Sequence, residues 1–191
     1  MFTALYDRVL GWAAHRHAER YLAGMSLAES FFFPIPPDVM LAPMVLAQRQ
    51  RAWWLATLTT VASVIGALIG YLIGFLALDA VFPLIERVGY ADKYAVAVDA
   101  FEVYGIWAVI LAAFTPIPFK FITIAGGALH MALPGFVFGS VIGRGARFFL
   151  VAALIWAGGA RAAEHLRSWV DWIGWFVVVV VIGGGLLWWW L

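Results

Sequence analysis

Cysteine is absent from this chain of 191 residues, and charged residues are scarce at 12%. The lack of cysteine excludes disulfide bonds, thiolate nucleophiles and cysteine-ligated metal sites. The lack of charge argues against an ordinary soluble domain, in which roughly a quarter of the residues are charged. Hydrophobic residues instead make up 65% of the chain, and the mean hydropathy is +0.95. The composition therefore predicts an integral membrane protein, with residues 1–191 forming a single membrane domain.

Long apolar runs mark the candidate membrane spans, because a helix needs about 20 apolar residues to cross the bilayer. Residues 53–78, 134–160 and 169–191 are such runs. The first begins and the last ends with tryptophans, which anchor helices at the membrane interface. Residues 1–24 are broken up by charged and histidine side chains, so they predict an amphipathic helix at the interface rather than a signal peptide.

Two further apolar stretches, residues 25–50 and 103–130, are each interrupted near the middle by a Pro-x-Pro element. Proline removes a backbone donor and disfavours helix in the preceding residue, so each stretch should break into two short helices. A broken backbone at membrane depth is tolerated only where it faces protein or a wet cavity. We therefore expect two re-entrant arms, whose turns contain Pro34, Pro36, Pro37, Pro116 and Pro118.

The two arms occupy corresponding positions, since a glycine-containing spanning run follows each of them. Such paired, interrupted arms are typical of inverted-repeat transporters. Lys and Arg concentrate on the side of the N-terminus, and an acidic loop over residues 79–102 lies on the other side, so the N-terminus should be cytoplasmic. The predicted fold is an all-α membrane protein. It is an inverted repeat of a re-entrant helical hairpin plus a transmembrane helix, with an N-terminal amphipathic helix and a C-terminal transmembrane helix.

Small residues spaced four apart allow helices to pack closely within membranes. The stretch "GALIGYLIG" has this spacing, and a glycine pair lies near the end of the second arm. We therefore expect close helix contacts at Gly66, Gly70, Gly74, Gly126 and Gly127.

Within the apolar segments lie the bases Lys120, Arg144 and Arg147 and the acids Glu29 and Asp38. A charge at the centre of a membrane helix costs about 2.5 to 3.5 kcal/mol or more, so such residues are rare and often functional. Arginine binds phosphate through two parallel hydrogen bonds, so the bases are candidates for binding an anionic head group. The acids are candidates for proton coupling, because their protonation would release the bases. A purely structural set of ion pairs is the competing interpretation.

Other chemistries find less support. The histidines His15, His17, His130 and His165 have no metal-like spacing with acids, so we expect no metal and no cofactor. Ser140 could act as a nucleophile only with a base, and no histidine lies on a later span. An intramembrane lipid phosphatase using His130, and a membrane scaffold without transport, stay as alternatives. We expect no catalytic residues and no enzyme activity.

The chain resembles the DedA family of membrane proteins, whose shared core is also called the VTT domain. The resemblance rests on "ESFFFPIPPDV", "GALIGYLIG", "FTPIPFKFITIAGG" and "GRGARFF"; it covers about residues 26–160 and is closest to the YqaA-like branch. It implies two opposed re-entrant arms and a multi-pass protein of the bacterial cytoplasmic membrane. It also implies lipid movement, because bacterial members translocate undecaprenyl phosphate and eukaryotic relatives scramble phospholipids.

The sequence departs from the family in its second arm. Members typically carry arginines three residues before and three residues after the arm's proline, where this chain has Ala113 and Phe119. Lys120 is the only base in this arm. In the first arm, Asp38 comes one residue earlier, relative to the second proline, than the acid that family members usually carry. We expect a transporter for an anionic lipid, either undecaprenyl phosphate or a phospholipid, with protons as the candidate coupling ion. A homo-oligomer is an open option, and no nucleic-acid partner is expected.

Overall fold

The computed structural model describes residues 17–33, 35–87, 91–115 and 119–159. The regular secondary structure in these ranges is helical, and they contain no strand. Most of the predicted amphipathic helix over residues 1–24 and all of the predicted span 169–191 lie outside the described residues. The described elements are α1 (Ala18–Glu29), α2 (Asp38–Ala47), a 3-10 turn (Arg49–Arg51), α3 (Ala52–Arg87), α4 (Ala91–Phe114), α5 (Lys120–Ala128) and α6 (Leu133–Gly159).

In the described part of the chain, two helical segments are long and apolar enough to cross a membrane, Arg49–Leu78 and Leu133–Gly159. At 1.5 Å per residue they extend over roughly 45 and 40 Å, more than the hydrocarbon core of about 30 Å. They coincide with the predicted spans 53–78 and 134–160. Their outer faces carry large apolar side chains, such as Leu72 at 55% exposure and Leu76 at 69%. Such a surface suits lipid, because soluble proteins rarely expose extended apolar patches.

Residues 79–102, which were predicted to form an extracytoplasmic loop, are mostly helical in the structure. Helix α3 continues to Arg87 and α4 begins at Ala91, so most of this segment is helical. The segment is rich in alanine and other residues that a helix accommodates at little cost, and its acids do not prevent helix formation. Pro83 lies within α3, where it removes a single intrahelical hydrogen bond. Helix α4 therefore begins before residue 103, where the second arm was predicted to start, although its apolar part, Phe101–Phe114, is short.

Helix α3 packs against α1 and α5 through the face that carries its glycines. A methyl group added at Gly66 would collide with the backbone carbonyl of Leu27 in α1. One turn later, Gly70 faces the side chain of Thr123 in α5. Close approach of the backbones is possible only because these positions lack a side chain, as is common in membrane helices.

Helix α6 packs on α4 in the same manner. A methyl group at Gly143 would lie 2.6 Å from the carbonyl oxygen of Ile110, and one at Gly139 would lie 3.1 Å from Val109. Helix α1 thus lies on a glycine face of α3, and α4 lies on a glycine face of α6.

Two apolar clusters form the interior. One joins α1, α2 and the beginning of α3 to the second half of α6, where Phe148 and Ile155 are fully buried. The other joins α3, α4 and α5 to the first half of α6 and contains Tyr71, Phe119 and Phe136. Since lipid tails are as apolar as these side chains, the clusters stabilise the fold by close packing rather than by removal from water. Arg144 of the predicted site lies where the two clusters meet, near Phe119 of one and Phe148 of the other.

Candidate functional site

The first helix break separates α1 from α2 and places an acid at each side. Helix α1 ends at Glu29, and the amides of Phe32 and Phe33 both donate to the Ala28 carbonyl, each at 2.8 Å, which closes the turn. Helix α2 starts at Asp38, with the Leu41 amide donating to the Pro37 carbonyl at 2.8 Å. The predicted turn residues Pro36 and Pro37 lie in this break, whereas Pro34 lies outside the described residues.

The second helix break separates α4 from α5. The amide of Thr115 still bonds to Leu111, and α5 then begins when the amides of Ile122 and Thr123 bond to the Phe119 carbonyl. The predicted turn residues Pro116 and Pro118 lie outside the described residues. The two breaks approach one another, since the Thr123 hydroxyl lies 3.0 Å from the Ser30 carbonyl at the end of α1.

Arg144 of α6 is fully buried and forms an ion pair with Glu29. Its guanidinium carbon lies 4.5 Å from the ring centre of Phe119 and 5.4 Å from that of Phe148. These distances allow cation–π attraction, which is stronger when the cation is desolvated. Arg144 therefore joins α6 to the first arm, and the two apolar clusters meet at its guanidinium group.

Arg147, one turn later on α6, joins the two breaks directly. It forms an ion pair with Asp38 at the start of α2 and donates to the Thr115 carbonyl at 2.7 Å. Thr115 immediately follows α4, so a single guanidinium group bonds to one residue from each break. Its side chain keeps 14% exposure, against 1% for Arg144. Of the two arginines, Arg147 is thus the one that a ligand outside the helix bundle can contact.

A set of buried hydroxyl groups supports the Glu29–Arg144 pair. Ser30 donates to the Ser26 carbonyl at 3.1 Å, and its oxygen lies 2.8 Å from the Ser63 hydroxyl and 3.5 Å from Arg144. Ser26 in turn donates to the Thr59 carbonyl at 2.8 Å. Because buried polar groups are costly unless hydrogen-bonded, these contacts hold α1 and α3 in one register beside the ion pair.

Lys120 differs from the two arginines. It begins α5, is partly exposed, and its ammonium group lies 3.4 Å from the Phe32 carbonyl and 5.8 Å from the ring centre of Phe121. Among the described residues, no carboxylate forms an ion pair with it. Lys120 is therefore a cation near the first break whose charge the described acids do not neutralise.

Three buried atoms near these pairs have no hydrogen-bond partner among the described residues: Asp38 Oδ1, Arg144 Nε and Ser140 Oγ. Ser140 lies one turn before Arg144 on α6, so their side chains share a face of the helix. The carboxylate and the guanidinium group thus retain capacity for further hydrogen bonds, which a polar ligand in the site could use.

The glycines predicted for packing all lie at helix contacts. Besides Gly66 and Gly70, Gly74 faces the Ile124 carbonyl, Gly127 faces the Tyr71 carbonyl, and Gly126 lies against the ring of Phe136. Tyr71 also donates to the Met131 carbonyl at 2.6 Å, which ties α3 to the turn between α5 and α6. These contacts hold α5, and with it Lys120, against α3.

The residues considered for other chemistries lie apart from one another. His130 occupies the turn before α6, with φ of 52° and its ring 4.7 Å from that of Phe75. Arg144 lies roughly 17 Å further along the axis of α6 than Leu133, where this helix begins. No group of three or more His, Cys, Asp or Glu side chains in the described part of the chain could hold a metal ion. His15 and His165 lie outside the described residues.

Several contacts of the site were not predicted from the sequence. The rings of Phe119 and Phe148, the Ser30–Ser63 hydroxyl pair and the Thr115 carbonyl all contribute to it. The i, i+4 spacing of Arg144 and Phe148 is a local signal that could have indicated one of them. A backbone carbonyl leaves no such signal, because every residue has one.

Comparison with known proteins relates the chain to one family. The VTT domain model matches residues 35–157. An uncharacterized protein of Haemophilus influenzae is 44% identical over 178 residues, which are 93% of this chain and 93% of the relative. A second uncharacterized protein, from Histophilus somni, is 42% identical with the same coverage. No solved structure matches the chain. The similarity therefore extends beyond the matched domain to nearly the whole sequence.

Proposed function

Because this chain belongs to the VTT domain family, also called the DedA family, we propose that it is a transporter that moves an anionic lipid between membrane leaflets. Undecaprenyl phosphate and phospholipids are the candidate substrates. The protein does not act as an enzyme in this proposal. It lies in the bacterial cytoplasmic membrane with its N-terminus in the cytoplasm, and its two helix breaks are the tips of opposed re-entrant arms in an inverted repeat.

The contacts of Arg147 carry the proposal. This arginine bonds to Asp38 from the first break and to the Thr115 carbonyl from the second, and it is partly exposed. A guanidinium group favours a phosphate, which it can bind through two parallel hydrogen bonds. A phosphate that took over these bonds would release both breaks at once. Binding of the head group would then loosen the contact between the arms, as alternating access requires.

Charge balance favours an anionic head group over a neutral one. The site contains Lys120, Arg144 and Arg147 against Glu29 and Asp38, so three bases minus two acids leave one positive charge. With both ion pairs formed, that charge resides on Lys120, which is partly exposed. In this proposal Lys120 meets the phosphate first, Arg147 binds it next, and Arg144 keeps α6 attached to the first arm.

Proton coupling follows from the same exchange of partners. If Asp38 takes up a proton, it no longer neutralises Arg147, and the phosphate replaces it as the anionic partner. Loss of that proton would restore the ion pair and favour release of the lipid. Glu29 can act in the same way on Arg144, although burial of that pair makes the exchange more costly. The direction of transport would then depend on the proton gradient.

Leaflet exchange in liposomes tests the proposal. The protein is reconstituted with labelled undecaprenyl phosphate or labelled phospholipid, and the label remaining in the outer leaflet is followed over time. We expect exchange that is lost in Arg147→Ala and reduced in Glu29→Gln. Arg87→Ala serves as the matched control, because Arg87 is exposed at the far end of α3. Exchange by Arg147→Ala at the wild-type rate would refute the proposed site.

A further inference from the structure

One end of the helix bundle brings together three parts of the chain that are distant in sequence. These are the beginning of α1, the 3-10 turn and the end of α6. Glu19 forms an ion pair with Arg51 at 2.6 Å and accepts a hydrogen bond from the Trp54 indole at 3.2 Å. Arg49 lies against Gly159, the last described residue of α6, where a Cβ atom would collide with the guanidinium group.

Tryptophan side chains lie at this same end of the helix bundle, next to the arginines. Trp53 stacks on Phe149 with ring centres 6.1 Å apart and lies 6.2 Å from Trp156. Trp53, Trp54 and Trp156 have exposures of 46%, 51% and 49%. Half-exposed tryptophans with polar neighbours are typical of the boundary between lipid tails and head groups. The arginines next to them therefore lie at the depth of lipid phosphates.

The charge of this surface is positive and distinct from the transport site. Arg20, Arg49 and Arg51 are exposed here, and among the described residues at this end Glu19 is the acid that opposes them. Glu19 and Glu29 are ten residues apart on α1, which separates this surface from the first ion pair by roughly 15 Å. The exposed guanidinium groups can bind a phosphate, and the tryptophans beside them can pack against acyl chains. A phospholipid has both parts, so it fits this surface better than a protein partner or a free anion.

We propose that Arg49, Arg51, Trp53, Trp54 and Trp156 form a basic–aromatic collar that holds an anionic phospholipid which is not transported. The two arginines bind its phosphate, and the tryptophans pack against its glycerol region and the first part of its acyl chains. Glu19 competes with the phosphate for Arg51 and so limits the affinity. The lipid would fasten the 3-10 turn to the end of α6, next to the junction of α2 and α3.

Lipid binding to the purified protein in detergent tests this collar. Native mass spectrometry gives the bound fraction as phosphatidylglycerol or phosphatidylcholine is added, and thermal unfolding gives the matching stabilisation. We expect preference for phosphatidylglycerol, and at least about a tenfold loss of its affinity in Arg49→Gln/Arg51→Gln, since each juxtamembrane arginine contributes to binding of anionic lipid. Arg87→Gln is the control and should bind like the wild type.

Glu19→Gln gives a test that does not depend on removing a residue of the collar. The amide oxygen can still accept the Trp54 hydrogen bond, while Arg51 is freed. We expect severalfold tighter binding of phosphatidylglycerol. Equal binding of the two lipids by the wild type would overturn the proposal, as would unchanged affinity in the double arginine variant or in Glu19→Gln. Full displacement of the lipid by millimolar inorganic phosphate would also overturn it, by assigning the surface to a free anion.

Discussion

Replacement of Arg144 by glutamine probes the buried ion pair with Glu29. The substitution leaves the carboxylate, whose side chain is only 11% exposed, without a cationic partner. Removing one partner of a buried pair typically costs 3 to 5 kcal/mol, because the other charge stays buried and uncompensated. Loss of the contacts with the rings of Phe119 and Phe148 adds about 1 kcal/mol or more. We therefore expect Arg144→Gln to lower the free energy of unfolding by about 4 to 6 kcal/mol.

The double variant Glu29→Gln/Arg144→Gln should recover much of this loss. It removes both charges of this pair, and the two amides can hydrogen-bond to one another and to Ser30. The free energy of unfolding can be measured by titrating SDS into protein in mild detergent micelles and following the fluorescence of its 11 tryptophans. A double-mutant cycle with Glu29→Gln then gives the coupling energy, which we expect to be at least about 2 kcal/mol.

A coupling energy near zero would refute the reasoning, because the two side chains would then contribute independently. The same variants show whether Arg144 also contacts the lipid, in addition to its pairing with Glu29. If the pair is purely structural, the double variant should support the cellular function once its fold is restored. If the arginine also contacts the lipid, the double variant should be stable yet slow in leaflet exchange.

Two further substitutions test the helix contacts. Gly66→Ala should destabilise the protein by about 1 to 3 kcal/mol, because its methyl group would collide with the Leu27 carbonyl and force α1 away from α3. Gly24→Ala is the matched control; nothing lies within 4 Å of the added methyl, so the same SDS titration should show no loss and a gain of up to about 1 kcal/mol. Tyr71→Phe should lower the free energy of unfolding by about 1 kcal/mol through loss of the hydrogen bond to Met131, and an unchanged unfolding curve would contradict that contact.

Helix positions could be predicted closely where local rules decide them. The prolines predicted the two breaks, and the described helices end at Glu29 and Phe114 and resume at Asp38 and Lys120. The helical structure of most of residues 79–102 was not predicted, because the segment was assigned as the connection between the first span and the second arm, whereas its residues favour a helix. Composition alone could not separate a polar helix from a loop there.

The chemistry of the site was only partly predictable. Each charged residue could be recognised by itself, because a charge in an apolar segment is conspicuous. The partners could not be assigned, since Glu29 and Arg144 are 115 residues apart and Asp38 and Arg147 are 109 residues apart. Phe119 was noted for replacing an arginine typical of the family, and its ring proves to contact Arg144.

The sequence by itself determined the class of protein, the two breaks between helices, and the set of charges available in the apolar segments. Each of these depends on composition or on neighbours within a few residues, so the order of residues along the chain is sufficient. Only the tertiary structure decided which acid pairs with which arginine, that Arg147 bonds to residues of both breaks, and that Lys120 has no carboxylate partner among the described residues. These features depend on how α6 lies across both arms, and that geometry follows from the packing of the whole bundle.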